Sequence, residues 1–384
     1  MGRAPTGPAP ARASGAALAR LGYDARVAEA LAAWPSARPL RVLRDGRGAL
    51  LATDGCEEWQ LATPAELRPV AGDWIAVEPR TPEAAAGGGR EGDRRAGADA
   101  TAPGAAQIVG VAARASALVR PRADGLPQVL AANIDDVGVV VPLDRPLNRR
   151  WLERALVLAH DSGARPLVLL SKRDLTSDLA AAQTAVAATA LDVDVLAVSG
   201  HTGAGLADLR ARLAADRTMA LLGASGSGKS TLVNALVGRA VMAVAAVRAG
   251  DAKGRHTTTH RQLLVVPSGG LVLDTPGVRS LAVGLVTDGL AAAFPDVATV
   301  AVGCRFGDCT HAHEPGCAVA AALTRGDLAP DRVAGWQRIH EEVRTAAGDA
   351  DPATRRQWAR QWGRADVRAP TRLRPGMQPP VAED

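Results

Sequence analysis

The sequence predicts a multidomain chain: an N-terminal all-β barrel, a central α/β domain with a doubly wound parallel sheet, and a mainly α C-terminal domain. Three observations predict it. From about Arg41, short alternating runs such as RVLRDGRGALLAT, EEWQLAT and GDWIAVEP follow at close spacing, the pattern of a small barrel. From about Leu118, apolar runs (DDVGVVVPL, RPLVLLSKRD) alternate with helical stretches (NRRWLERALVLAHDSG), which implies crossover units and a mostly parallel sheet. After about Leu285 the strand pattern stops, three cysteines cluster, and a helical stretch begins at Val333.

These changes of pattern place the boundaries. Residues 1–35 read as a disordered tail and one short helix over 16–34, residues 36–117 as the barrel, and residues 118–285 as the α/β domain. Residues 286–347 form the cysteine-bearing domain, and 348–384 an Arg-rich tail. Within the barrel, residues 81–104 are rich in Gly, Ala, Asp and Arg without periodicity and read as a flexible insertion.

Composition bounds the function classes. At 384 residues and 47% hydrophobic, the chain can bury a sizeable core, yet no apolar run approaches the roughly 18 residues of a membrane span. The opening MGRAPTGPAPARASG lacks an apolar core of signal-peptide length and suits a cytoplasmic protein, an organelle-targeting segment being the alternative. A net charge of +5 permits a polyanionic partner without demanding one. Among so many arginines there are only three lysines, Lys172, Lys229 and Lys253, and each falls in a segment read below as nucleotide-binding. Lysine is expected to persist where a compact ammonium is needed.

The segment LLGASGSGKST contains Gly223, Ala224, Ser225, Gly226, Ser227, Gly228, Lys229, Ser230 and Thr231, and satisfies the phosphate-loop pattern G-x-x-x-x-G-K-[ST]. The apolar run TMALL precedes it and an amphipathic STLVNALVG follows, so the loop joins a strand to a helix. Glycines let backbone N–H groups turn inward onto phosphate oxygens, and the helix presents its positive end to them. Lys229 places a cation on the outer phosphates, a catalytic contribution, and the Ser230 hydroxyl ligates Mg²⁺. Downstream, LVLDTPG sets Asp274 and Gly277 as D-x-x-G at a strand end; the aspartate serves Mg²⁺ and the glycine N–H senses the γ-phosphate. Between them, AKGRHTTTH reads as a loop whose threonines could complete the Mg²⁺ shell, Thr258 being the choice among residues 257–259.

Guanine selection needs a carboxylate for the ring N1–H and the exocyclic amine. Ser171-Lys172-Arg173-Asp174 stands where [NT]-K-x-D is usual: Asp174 supplies the carboxylate and the Lys172 stem lies over the base. Ser171 replaces the commoner asparagine and weakens base recognition on this reading. VSGHTGAGL, with Ser199 and Gly200, resembles the further loop that reads the guanine O6 through its backbone, with glycine in place of the more usual alanine. Both base motifs precede the phosphate loop, the reverse of Ras-like enzymes. A site built from separate strand ends survives such circular permutation.

Cys304, Cys309 and Cys317, with an imidazole from His311 or His313, form a compact Cys₃His set suited to one structural, tetrahedral Zn²⁺. Cys56 stands apart. Taken with this cluster, the motif order, GRHTTT and DTPG, the chain resembles the circularly permuted, ribosome small-subunit-dependent GTPase A family (RsgA, also called YjeQ or EngC) from about Arg41 to Ala346. The resemblance implies an OB-fold barrel, a permuted GTPase domain and a zinc domain with His311 as the fourth ligand. It implies late maturation of the small ribosomal subunit, with rRNA contact and subunit-stimulated conversion of GTP to GDP by a monomer free of membranes.

Val278 occupies the place of the Ras-like glutamine and cannot orient water, so slow intrinsic turnover is expected. His256 is the candidate substitute, the alternative being a loop histidine bonded to backbone or RNA. Trp59 and Trp74 either stack bases on the barrel or fill its core. Arg355, Arg356, Arg360, Arg364, Arg368, Arg372 and Arg374 either follow an RNA backbone or form a solvated face, with Trp358 and Trp362 packed on the zinc domain. Two other functions remain: a transporter-type ATPase, whose LSGGQ-like signature and glutamate after the strand aspartate are absent, and a non-enzymatic RNA-binding assembly factor that merely holds nucleotide.

Overall fold

The computed structural model describes residues 14–46, 48–64, 67–79, 106–122, 124–213, 216–242, 261–275, 281–286, 288–312 and 314–362. Instead of one N-terminal helix there are two, α1 (Gly15–Ala19) and α2 (Ala25–Ala30). The break has a local cause, because the Asp24 carboxylate accepts the Val27 N–H at 3.0 Å and starts a new helix.

Five strands follow: β1 (Arg38–Asp45), β2 (Ala49–Thr53), β3 (Glu58–Ala62), β4 (Trp74–Pro79) and β5 (Ala106–Val111). They pair antiparallel in the order β3-β2-β1-β4-β5, and β3 lies against β5, so the ribbon comes round on itself. Leu40, Val42, Leu50, Trp59, Ile75 and Ile108 fill its interior. Trp74 is fully buried on the other side of β4, edge-on to Tyr23 at 5.2 Å. Both tryptophans are therefore core residues, and base stacking by them is ruled out. A hairpin unforeseen in the sequence, β6 (Ala117–Pro121) with β7 (Pro127–Ala132), forms a separate small sheet.

The central elements are β8 (Asp136–Pro142), α3 (Arg149–Asp161), β9 (Arg165–Ser171), a 3₁₀ turn (Arg173–Leu175), α4 (Leu179–Ala187), β10 (Asp194–Ala197), α5 (Leu206–Arg212), β11 (Thr218–Gly223), α6 (Lys229–Val237), β12 (Gln262–Val265) and β13 (Leu271–Asp274). The order β10-β9-β8-β11-β13 is parallel throughout, as the strand–helix alternation predicts. Apolar clusters on both faces cover β8, β9 and β11, which explains their continuous apolar runs. The chain winds one way from β8 to β10 and the other from β11 to β13, so β8 and β11 flank the switch point, where a crevice opens at the strand carboxyl ends. Antiparallel β12 pairs with β1 at Arg44↔Gln262, joining barrel and central strands into one 11-stranded sheet.

The C-terminal elements are α7 (Gly289–Ala293), α8 (Pro295–Ala301), α9 (Ala318–Arg325), α10 (Pro330–Asp349) and α11 (Pro352–Trp362). Helix α10 crosses α3 closely: a Cβ on Gly335 would lie 2.7 Å from the Glu153 carboxylate, which would have to shift to admit it. Ion pairs Arg154–Glu342 (2.9 Å) and Arg332–Asp296 (2.7 Å) flank the contact. Trp358 of α11 is 2% exposed and packs on the β6–β7 hairpin and Leu285, its indole N–H donating to the Gly125 carbonyl at 3.2 Å. The same cluster takes in Ala347 of α10, at the edge of the cysteine-bearing domain read from the sequence. The Trp362 side chain, and the positions of Arg364, Arg368, Arg372 and Arg374, lie outside the described residues. Among the described residues no helix is long and apolar enough to cross a membrane.

Candidate nucleotide site and metal cluster

Four of the motifs read from the sequence meet at the carboxyl edge of the parallel sheet. The Ser171 segment leaves β9, Ser199–Gly200 follows β10, the phosphate loop follows β11, and Asp274 ends β13. Leu221 of β11 pairs with Asp274 and Gly223 with Val140 of β8, so the strand ends step past one another from β13 to β11 to β8.

The phosphate loop carries hydrogen bonds of its own. The Lys229 ammonium donates to the Gly223 carbonyl at 2.7 Å and the Ala224 carbonyl at 3.2 Å, and the Ser227 N–H donates to the Ala224 carbonyl. Lys229 and Asp274 are 7% and 1% exposed. Burial pulls the Lys229 ammonium down to about 8, against the opposing pull of Asp274. Burial likewise pushes the Asp274 carboxyl up to about 6, against the opposing effect of Lys229. Among the described residues Asp274 Oδ1 is buried without a hydrogen-bond partner. A buried carboxylate oxygen in this state, beside a phosphate loop, suits a hydrated cation. Its neighbour Thr275 is anchored elsewhere, donating to the Leu221 carbonyl at 2.6 Å.

The base-side residues touch the same loop. The Ser171 hydroxyl donates to the Ser227 carbonyl at 2.6 Å. Ser171 thus ties its strand to the phosphate loop. Lys172 takes a left-handed backbone conformation (φ 59°), and its ammonium pairs with Asp144 at 2.5 Å. Asp174 is exposed, and a hydrogen bond from Ser199 holds its carboxyl below the usual range. The Ser199 hydroxyl also accepts the N–H groups of His201 (3.2 Å) and Thr202 (3.0 Å). A Cβ on Gly200 would lie 3.0 Å from the backbone of Thr231, so glycine here lets the loop lie against the first turn of α6. His256, Thr258, Gly277 and Val278 lie outside the described residues.

Sequence reasoning missed Asp144 and Arg145, in the loop after β8. Arg145 donates to the Gly226 carbonyl at 3.0 Å and to Asp144 at 3.0 Å. The one clue was position: PLDRPLN closes an apolar strand whose end belongs to the same sheet edge.

In the C-terminal region Cys304, Cys309, His311 and Cys317 are all buried, with ligand atoms within 4.8 Å of one another. Cys304 Sγ and Cys317 Sγ are 4.0 Å apart, and His311 Nδ1 lies 3.5 and 3.6 Å from them. A tetrahedral ion with bonds of about 2.3 Å to sulfur and about 2.05 Å to nitrogen gives edges of about 3.8 and 3.6 Å, so the donors fit one. His311 adopts φ 61°, a conformation rare outside glycine, and Gln337 holds its carbonyl at 2.7 Å. Burial pushes the Cys309 thiol up to about 12, so thiolate here needs a cation. His313 lies outside the described residues.

Comparison with known proteins bears on family and fold. The family model described as RsgA GTPase matches residues 111–284. The small ribosomal subunit biogenesis GTPase RsgA of Opitutus terrae is 42% identical over 328 residues, covering 84% of this chain and 85% of the relative. The crystal structure of YjeQ from Thermotoga maritima shares the fold, with a TM-score of 0.55, 23% identity, and coverage of 80% of this chain and 98% of that one. So does that of YloQ, titled a circularly permuted GTPase, with a TM-score of 0.54, 22% identity and coverage of 80% and 95%.

Proposed function

The chain belongs to the RsgA GTPase family and is a GTP-hydrolysing enzyme of small ribosomal subunit biogenesis, and we propose that it acts late in that maturation, as a monomer in the cytoplasm, with the subunit stimulating hydrolysis. The observation that carries this is the meeting of base-side and phosphate-side motifs on one sheet edge despite their permuted order. In this reading Asp174 accepts from the guanine N1–H and amine, and the backbone after Ser199 and Gly200 reads O6. The loop from Gly223 to Thr231 cradles the phosphates through its N–H groups, with Lys229 on the outer oxygens. Ser230, Asp274 and Thr258 would hold Mg²⁺, which when bound neutralises developing phosphate charge. The Gly277 N–H reports the γ-phosphate, and His256 orients the attacking water.

Zn²⁺ is the ion the Cys₃His donors favour, and its role is structural because four protein ligands fill a tetrahedral shell. The five-strand order β3-β2-β1-β4-β5, with β3 beside β5, supports reading the barrel as an OB-fold that faces rRNA. The domain limits proposed are 36–117, 118–285 and 286–347.

The test is turnover of GTP and of ATP, with and without small subunits. GTP-selective phosphate release that rises with subunits is expected. Equal use of ATP overturns the base assignment, and release unmoved by subunits overturns the stimulation. Asp174→Asn should shift preference from guanine toward xanthine nucleotides, because an amide donor then faces the 2-oxo group.

A further inference from the structure

Asp144 and Arg145 belong to no motif of the nucleotide site, yet they stand between its two halves. The Lys172 ammonium donates to Asp144 Oδ2 at 2.5 Å, and Arg145 Nε donates to Asp144 Oδ1 at 3.0 Å. Arg145 Nη2 then donates to the Gly226 carbonyl at 3.0 Å. These contacts link the base-side lysine to the tip of the phosphate loop through three charged side chains. Burial acts upward on Asp144, but hydrogen bonds from Lys172 and Arg145 outweigh it and hold its carboxyl below the usual value, so it stays ionised.

The link bears on loop geometry. A peptide group is planar, with its carbonyl and N–H opposed. Holding the Gly226 carbonyl toward Arg145 therefore turns the Ser227 N–H into the loop, where it meets the Ala224 carbonyl at 3.2 Å. That is the side on which a phosphate oxygen would sit.

On the premise that this site binds guanine nucleotide, we propose that Asp144 and Arg145 are positioning residues: Asp144 keeps the Lys172 stem in place over the base, and Arg145 keeps the phosphate loop preformed. The two act as one bridge that slows nucleotide release. Neither touches the reacting phosphate, so the hydrolytic step itself does not depend on them.

The experiment uses the full chain, ribose-labelled fluorescent GDP with Mg²⁺, and the variants Asp144→Asn, Arg145→Ala and their double. Wild-type protein must first bind the labelled GDP and release it to GTP but not to ATP; failure there removes the nucleotide reading and leaves the bridge without a role. Given binding, each single variant should release GDP about tenfold faster, and the double no faster than the singles, because both break one linkage. Single-turnover hydrolysis of pre-bound GTP should stay within about twofold of wild type, since the bridge serves ground-state binding. Release within about twofold of wild type, multiplicative effects in the double, or lost hydrolysis with unchanged release would each overturn the proposal. Should Arg145→Ala not fold, Arg145→Lys decides: an intermediate release rate supports the bridge, and a wild-type rate sinks it.

Discussion

At the scale of single residues, the roles proposed for Lys229 and Asp274 give the site a working pH. Asp274 must be ionised to serve a cation, and burial places its carboxyl at about 6. Lys229 must be protonated to meet phosphate, and burial places its ammonium at about 8. Affinity for Mg·GDP should therefore fall as pH drops through about 6 and again as it rises through about 8. Titrating affinity against pH checks this, and Asp274→Asn should abolish the acidic limb while leaving the basic one. Once ligand is bound, phosphate favours the ammonium and the cation favours the carboxylate, so both limbs should move outward in kcat. Ser171 makes a smaller prediction. Its hydroxyl bonds the Ser227 carbonyl at 2.6 Å, a contact of about 1 kcal/mol, so Ser171→Ala should weaken GTP and GDP alike by roughly fivefold without changing the preference over ATP. The sequence disclosed residues whose chemistry is bound to a local spacing, such as Lys229 behind Gly228. It hid Asp144 and Arg145, whose meaning arises only when β8 lies beside β11.

At the scale of elements, the C-terminal helices depend on two anchors of different kinds. The first is the Cys₃His set, where four buried donors converge beside a left-handed His311 and would be drawn together by a bound cation. Trp336 lies 4.5 Å from the His311 ring and serves as a reporter. Chelation should release one zinc ion per chain and change the fluorescence of that indole, with Trp336→Phe as the control that removes the change. The second anchor is Trp358, whose ring closes the cluster formed by the β6–β7 hairpin and Leu285. Leu285 lies soon after the D-x-x-G segment in the chain, so α11 braces the stretch leading out of that segment. Trp358→Ala removes a fully buried aromatic, a loss of about 3–5 kcal/mol where the site cannot collapse. Hydrogen exchange should then accelerate in α11 and in the hairpin while the parallel strands keep their protection. The four spaced cysteine and histidine ligands were legible as a string. The hairpin was not, because its short strands lie where the barrel pattern gives way to the α/β pattern and carry no distinct period.

At the scale of the whole molecule, permutation leaves the site intact because each motif depends on the end of its own strand and not on chain order. Adjacent parallel strands bring Ser171, Gly223 and Asp274 to the same edge of the sheet however the connections run, which is why sequence order misleads and strand ends do not. Pattern changes at Arg41 and Leu118 disclosed a barrel and a doubly wound sheet, but not that β1 and β12 fuse them, since one pairing at Arg44↔Gln262 leaves no periodic trace. Arg41 reinforces the fusion. It is 2% exposed and bonds the Leu21 carbonyl at 2.6 Å, the Asn133 carbonyl at 2.8 Å and the Thr218 hydroxyl at 3.3 Å, while its guanidinium lies over Trp74. One side chain thus joins the N-terminal helices, the barrel and the starts of the parallel strands. Burial brings even this guanidinium down to about 10, partly offset by Asp135, so it stays charged at neutral pH and depends on these acceptors. Arg41→Met keeps most of the volume but strips the Leu21 and Asn133 carbonyls of a charged donor, at about 1.5–3 kcal/mol each. The expected result is an earlier unfolding transition reported by the barrel, with the transition of the parallel sheet less displaced. Saturating Mg·GDP should raise the second transition in that variant and leave the first where it is, whereas in the wild type it should raise both, because ligand bound to one part stabilises only what unfolds with it. Calorimetry with and without nucleotide reads this directly, and a barrel that still melts together with the sheet in Arg41→Met would show that the β1–β12 ladder alone couples them.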